Sequence, residues 1–481
     1  MPRFIRVMHL VCFLLLFAAA AAAQLAPAPA GTPAPGAPSL PALPGTRNPF
    51  LGSVAEGQVT PGVLQLSVSD ALDRGLQHNL GLLLSGHDTQ SAQGDRWRRL
   101  SELLPDLITE TSLTREQINL STFGIPIPAG VSPVTPPFDV FDTRAFLDES
   151  VGFDTVNRYR AANQNLRAAR FTYQDARELV VLVVGASYLQ ALAGAARVQS
   201  AEAQYATAER LYRQAVDLRH AGVVPGLDVL RAQVEMQARQ QNLLSTHNDF
   251  EKQKLQLARV IGLPLGQPFE LSSKLPYEPL QELTLEHALE VAYRTRADYQ
   301  ASLARVRAAE LEKKAAQGEA LPSFGLAGDY GLIGNNPGNA RSTFSIGAGV
   351  RIPVFQGGKV HGDTLRADAT LRRRQDELAD LRGAIELEVR NAFLDLRTAA
   401  QRVEVAQQSV ELARQQLQQS QDRFAAGVTD NVEVVQAQQA VAQAEENYIA
   451  SLNAHNVAKL VMAHALGVAE KETRQYLEEK K

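Results

Sequence analysis

The side chains that could do chemistry in this chain are few, and their spacing is not that of catalysis. None of the nine histidines forms a His-Glu-x-x-His pair that would hold a metal. There is no Gly-x-x-x-x-Gly-Lys-Ser/Thr loop for phosphate and no Gly-x-Ser-x-Gly elbow for a nucleophile. The one cysteine, Cys12, lies in an N-terminal apolar run, so the rest of the chain has neither a disulfide framework nor thiol chemistry. His455 falls on an apolar helical stripe and reads as a packed histidine. No cofactor, no metal and no enzymatic activity are expected. The charged residues do something else: they alternate. Asp142, Arg144 and Asp148 interleave with Phe141, Thr143, Ala145 and Leu147; Ser345 and Arg351 interleave with Phe344, Ile346, Val350, Ile352 and Val354. Period-two segments of this kind sort water from hydrocarbon, one face for each. A hairpin packed on a soluble core is the alternative. It is weakened because these strands are nearly the only β signal and occur once per repeat.

The elements that must position those strands appear twice. Leu66 to Leu107 aligns without a gap on Leu283 to Phe324, an offset of 217, and Phe141 to Gly262 aligns on Ile346 to Gly467, an offset of 205. The offset changes between Thr109 and Val140, where the first copy carries a longer loop. Repeats of this size specify a pseudosymmetric object. Each copy should open with one helix, 68–103 and 285–320, with Ser69 and Thr284 as N-caps and Pro105 and Pro322 as stops. A β hairpin follows, then a long helix over 157–220 or 362–426, which at 1.5 Å per residue spans roughly 96 Å. In the second long helix Ala392, Ala399, Ala406 and Ala413 alternate with Leu396, Val403, Val410, Leu417 and Phe424. That is a heptad seam of small and large rungs. In the first, the small rungs are Ser187, Gly194, Ala201, Ala208 and Ala215. Both long helices end at glycine turns, Gly222 to Gly226 and Gly427 to Asn431, which suit helix C-caps. A third helix then returns. Its first turn carries Asp228 in one copy and Glu433 in the other, where a carboxylate suits the helix dipole. The opening and closing helices together match the long one, so they should stack end to end beside it.

The ends and the composition set further bounds. Residues 1–23 read as a secretory signal, with Arg3 and Arg6 before an apolar run and alanines at its end. A retained anchor is the alternative. Residues 24–62, rich in Pro, Ala and Gly, should form an extended or disordered lead-in. The first repeat is placed at 63–265, a linker at 266–282, the second repeat at 283–468 and a tail at 469–481. A net charge of −4 gives no nucleic-acid surface, and no later stretch reaches 18 uninterrupted apolar residues, so no transmembrane helix is expected. Four strands cannot close a barrel, and open edges are not tolerated in a bilayer. Several copies, most naturally three, must therefore share one barrel.

Over residues 66–467 the chain resembles the TolC-type outer membrane efflux protein family. The resemblance rests on the two tandem copies, the strand pairs after Leu104-Pro105 and Leu321-Pro322, the two tip segments 218–229 and 423–434, and the closing Ile261-Gly262 and Leu466-Gly467. It implies a mainly α fold with a small β part: a periplasmic tunnel of long antiparallel coiled helices under a 12-stranded transmembrane barrel built by a homotrimer. It implies passive export of small molecules or proteins across the outer membrane of a Gram-negative-type bacterium. The implied partners are an inner-membrane pump, a periplasmic adaptor at the tips and outer membrane lipid. On this reading Gly222, Val223, Gly427 and Val428 dock the adaptor. Glu433 and Gln436 match the family's acidic constriction, and only the first is acidic; Asp228 and Arg231 hold the equivalent places in the first copy. A periplasmic adaptor or coiled-coil scaffold is the alternative, and an adaptor would need β-rich domains flanking its hairpin.

Overall fold

A computed structural model describes residues 48–477, except Glu56, Gln58, Ile125, Ala129, Lys274, Pro276, 278–283, Gly427 and Asp430. The expected signal at 1–23, most of the lead-in and Gly427 lie outside the described residues.

The elements run β1 (Leu64–Leu66), α1 (Val68–His78), α2 (Leu80–Ser101), β2 (Asp106–Glu116), β3 (Phe138–Val151), α3 (Phe153–His220) and α4 (Gly226–Val260). They continue as β4 (Phe269–Leu271), α5 (Leu285–Thr295), α6 (Ala297–Gly318), β5 (Ser323–Gly334), β6 (Arg341–Arg351), α7 (Lys359–Ala425), α8 (Asn431–Ala465) and α9 (Ala469–Leu477). The long helices α3 and α7 have 68 and 67 residues. The seam read from the heptads is the buried one. Ala392, Leu396, Ala399, Val403, Ala406, Val410, Ala413 and Phe424 of α7 are all buried, as are Ala201, Ala208 and Ala215 of α3. The halves of α3 have different companions. Arg96 of α2 donates to Asn163 and Tyr159 near its start, while Ala215 packs with Val229 and Ala232 of α4 near its end. The opening and closing helices thus stack along one long helix.

Three expectations are corrected. Each opening helix is two helices, not one. The chain extends at Asn79 (ψ 128°) and at Arg296 (ψ 123°). No proline marks either break. Asn79 ends α1 and caps α2, its side-chain oxygen accepting from the amides of Gly81 and Leu82 while its Nδ2 donates to the Phe50 carbonyl. The N-cap of α1 is Ser67 rather than Ser69, in a reciprocal capping box with Asp70; Thr284 caps α5 as expected. The lead-in expected to be extended through residue 62 is tied down from Asn48. A short turn at Pro49–Leu51 sets Phe50 over Gly81, where a Cβ would lie 2.5 Å from the ring, and Gln267 accepts from the Thr60 amide at 2.7 Å. The linker contributes β4, which pairs parallel with β1, and the tail contributes α9, with Ala469 and Thr473 buried.

The main core lies where these additions meet α3. Leu66, Val180, Val184, Tyr188, Leu189, Leu257, Ile261 and Leu460 are fully enclosed, and the Tyr188 hydroxyl donates to the Leu66 carbonyl at 3.0 Å. Among the described helices only α3 holds a stretch long and apolar enough to cross a membrane, and 72% of that stretch is buried inside the protein. It is a core segment.

Candidate functional site

Four strands form one antiparallel sheet in the order β2-β3-β5-β6, so the hairpins of the two repeats join through β3 and β5. The register puts the sequence alternation onto two faces. One carries Leu107, Leu113, Phe141, Leu147, Leu326, Tyr330, Phe344, Ile346 and Val350. Much of it is bare, with Phe344 74% and Ile346 79% exposed. The other carries Asp106, Glu110, Asp142, Arg144, Asp148, Asp329, Ser345 and Arg351. There Arg144 bridges Asp142 at 2.8 Å and Asp329 at 3.3 Å across the β3–β5 join, and Ser345 donates to Asp329. Among the described residues β2 and β6 pair on one side only.

At the opposite end of each long helix the chain turns. Gly222 has φ +74°, which a residue with a Cβ adopts at a cost. The amide of Val223 reaches back to the carbonyl of Leu218 at 2.9 Å, and that of Val428 to Arg423 at 3.0 Å, so both turns close in the same way. The turn leaves Val223 59% and Val428 69% exposed, with Leu227 and Leu230 bare beside the first.

The four positions expected at a constriction are not alike. Asp228 is buried, with Arg231 at 3.3 Å, and Arg231 itself is exposed. Glu433 is held inside its own hairpin: it accepts from Thr429 at 2.5 Å, Arg423 at 3.2 Å and Ser420 at 3.5 Å. Gln436 is exposed. The structure therefore joins Asp228 to Arg231 and Glu433 to the end of α7. His455 is fully buried, 5.8 Å from the ring of Tyr277.

Sequence reasoning missed a charged joint at the break between α5 and α6. Arg296, 7% exposed, donates to Asp298 at 2.8 Å, to Glu388 of α7 at 2.7 Å and to the Ala465 carbonyl at the end of α8. His464 lies 3.4 Å from Glu388. Burial works against ionising Glu388, but the His464 contact and the Arg296 charge overcome it and hold the carboxyl at about 2. Asp175 on α3 goes the other way: burial, reinforced by Asp298, raises it. A signal for the joint existed in retrospect. Arg296 is the repeat counterpart of Asn79, 217 positions on, so one break implied the other.

Residues 288–468 match the family described as outer membrane efflux protein. No curated protein matches the sequence. Solved structures match the fold. The outer membrane protein VceC of Vibrio cholerae superposes with a TM-score of 0.70 at 19% identity, over 83% of this chain and 96% of its own. The CmeC outer membrane channel of Campylobacter jejuni gives 0.71 at 15% identity, over 92% and 97%. The MtrE outer membrane channel of Neisseria gonorrhoeae, in its open state, gives 0.69 at 16% identity, over 89% and 98%. The second repeat thus matches the outer membrane efflux protein family over residues 288–468, and the chain has the fold of these outer membrane channels.

Proposed function

We propose that this protein is an outer membrane channel for passive export, in which three copies close a 12-stranded barrel above a periplasmic tunnel of α3, α4, α7 and α8. The observation that carries the reading is the four-stranded sheet with an exposed apolar face, a charged face and two bare edges. In hydrocarbon the apolar face is favourable and the edges are not, so the edges must find strands from other copies. The charged face then lines water. Transport energy comes from an inner-membrane pump, reached through a periplasmic adaptor docked on the tips at Gly222, Val223, Gly427 and Val428. An adaptor would carry β-rich domains beside its hairpin, whereas the described β structure is this sheet and the β1–β4 pair. Fractionation tests the reading: recovery in the outer membrane, released only by detergent, is expected, and a freely soluble periplasmic protein would refute it.

At the tips, Glu433 supplies a carboxylate ring to the tunnel mouth by three-fold repetition, with Asp228, Arg231 and Gln436 setting its surroundings. A ring of like charge in a narrow aqueous lumen favours the opposite ion. Single-channel recording checks it. Glu433→Gln should lower cation preference, and unchanged selectivity would leave Glu433 with only its role in holding the hairpin.

A further inference from the structure

The charged face of the sheet is not charged throughout. Three successive rungs of the β2–β3 hairpin set Asp106 opposite Asp148, Ile108 opposite Phe146 and Glu110 opposite Arg144. Ile108 and Phe146 therefore stand together on the face that carries the charges, and they are 56% and 39% exposed. Directly opposed residues on one face lie about 4.5–5.5 Å apart, so the two side chains form one apolar patch. On the next strand Phe146 faces Asp329. The neighbouring rungs of β5 and β6, Ala327 with Gly347 and Gly325 with Gly349, carry nothing longer than a methyl, so the patch stands above a low floor. The charges beside it are of one sign. Arg144 leans away from Glu110 across β5 to bridge Asp142 and Asp329. Gly331 makes room for that path, since a Cβ there would collide with the Arg144 side chain. Among the described residues Asp106, Asp148 and Glu110 form no ion pair, and all three are exposed. Arg341 and Arg351 share the face but stand at the two ends of β6.

We propose that Ile108 and Phe146, flanked by Asp106, Asp148 and Glu110, form a contact site in the barrel lumen for organic cations with an apolar or aromatic body. This names a cargo class, and it rests on the reading of the protein as a channel whose charged face lines water. An apolar patch kept in water is unfavourable until apolar surface covers it. The carboxylates on the rungs to either side select the sign of what does. The Phe146 ring attracts a cation held over its face, while the ring and Ile108 shed water against an apolar body. A small inorganic cation would use the carboxylates alone and gain nothing from the patch. An organic anion would fit the patch and be repelled by the carboxylates. Repetition of the chain around the lumen repeats the site, so cargo passing along any side of the wall meets one.

Planar-bilayer recording of the full protein tests this with three probes added on the extracellular side. Benzyltrimethylammonium carries a ring and a positive charge. Tetramethylammonium has the charge without the ring, and benzenesulfonate has the ring with the opposite charge. Benzyltrimethylammonium should halve the single-channel current at the lowest concentration of the three. Phe146→Thr, which keeps a good strand former at the position, should reduce its advantage over tetramethylammonium about 2–5-fold, the range an exposed cation–π contact supports. Ile108→Thr removes the other half of the patch and should lower the same ratio, which keeps the test decisive should Phe146→Thr fail to assemble. Equal block by the two cations in the wild-type protein, or a ratio that neither variant moves, overturns the inference and leaves the channel standing. Stronger block by benzenesulfonate overturns it too, because the site would then select the other sign. Purified protein that forms no conducting pore overturns the channel reading and the site with it.

Discussion

Arg296 ends one helix, pairs Asp298 and Glu388, and donates to the last turn of α8. Removing it leaves two carboxylates and a helix end without their cation, the costly way to break a buried pair. Arg296→Met should destabilise the protein by about 3–5 kcal/mol, measured by chemical unfolding in detergent. The joint also sets an acid response. Glu388 ionises more readily in the folded chain than in the unfolded one, so its contribution is complete above the ordinary carboxylate pKa. That contribution is lost as pH falls toward about 2. Asp175, raised by burial, acts oppositely and favours the folded chain once protonated. Unfolding midpoints followed from neutral pH downward should therefore drop below about pH 4, where a carboxylate begins to protonate. Glu388→Gln should start lower at neutral pH and fall less. At this scale the sequence was a poor guide. A buried arginine looks like a surface one until its partners on α7 and α8 are placed beside it. The cap, by contrast, was readable: Ser67 has Asp70 three positions on to close a capping box, and Ser69 has Leu72 there.

Heptads and glycine turns made the long elements legible, because small and large rungs must alternate wherever two helices pack along a full length. The seam of α7 is buried at the residues the period selects, save Leu417, which is half-buried. The hairpins were legible for the same reason at period two. The breaks at Asn79 and Arg296 were not, since each depends on a distant partner: the Phe50 carbonyl in one copy and the end of α8 in the other. β1, β4 and α9 were hidden because three-residue strands and a nine-residue helix carry too little periodicity to stand above a Pro-rich or polar background. The tips join local geometry to use. Gly222→Val forces a β-branched residue into the left-handed region, at roughly 1–2 kcal/mol, and crowds a surface proposed to meet the adaptor. Export should fail while oligomers still form. Loss of oligomers on a native gel would assign Gly222 to folding alone.

For the molecule as a whole, duplication accounts for the make-up of the four-stranded sheet. Each repeat supplies one hairpin, the two hairpins join through β3 and β5, and the sheet then ends on both sides. Its exposed apolar face and bare edges are liabilities in water and assets in a bilayer, provided other copies supply the missing strands. Among the described residues no group of three His, Cys, Asp or Glu side chains is placed to hold a metal ion. The most direct test is the mass of the detergent-extracted outer membrane protein by light scattering, corrected for bound detergent. Three chains per particle is the predicted result; a stable particle of one chain, with its sheet edges still bare, would contradict the account.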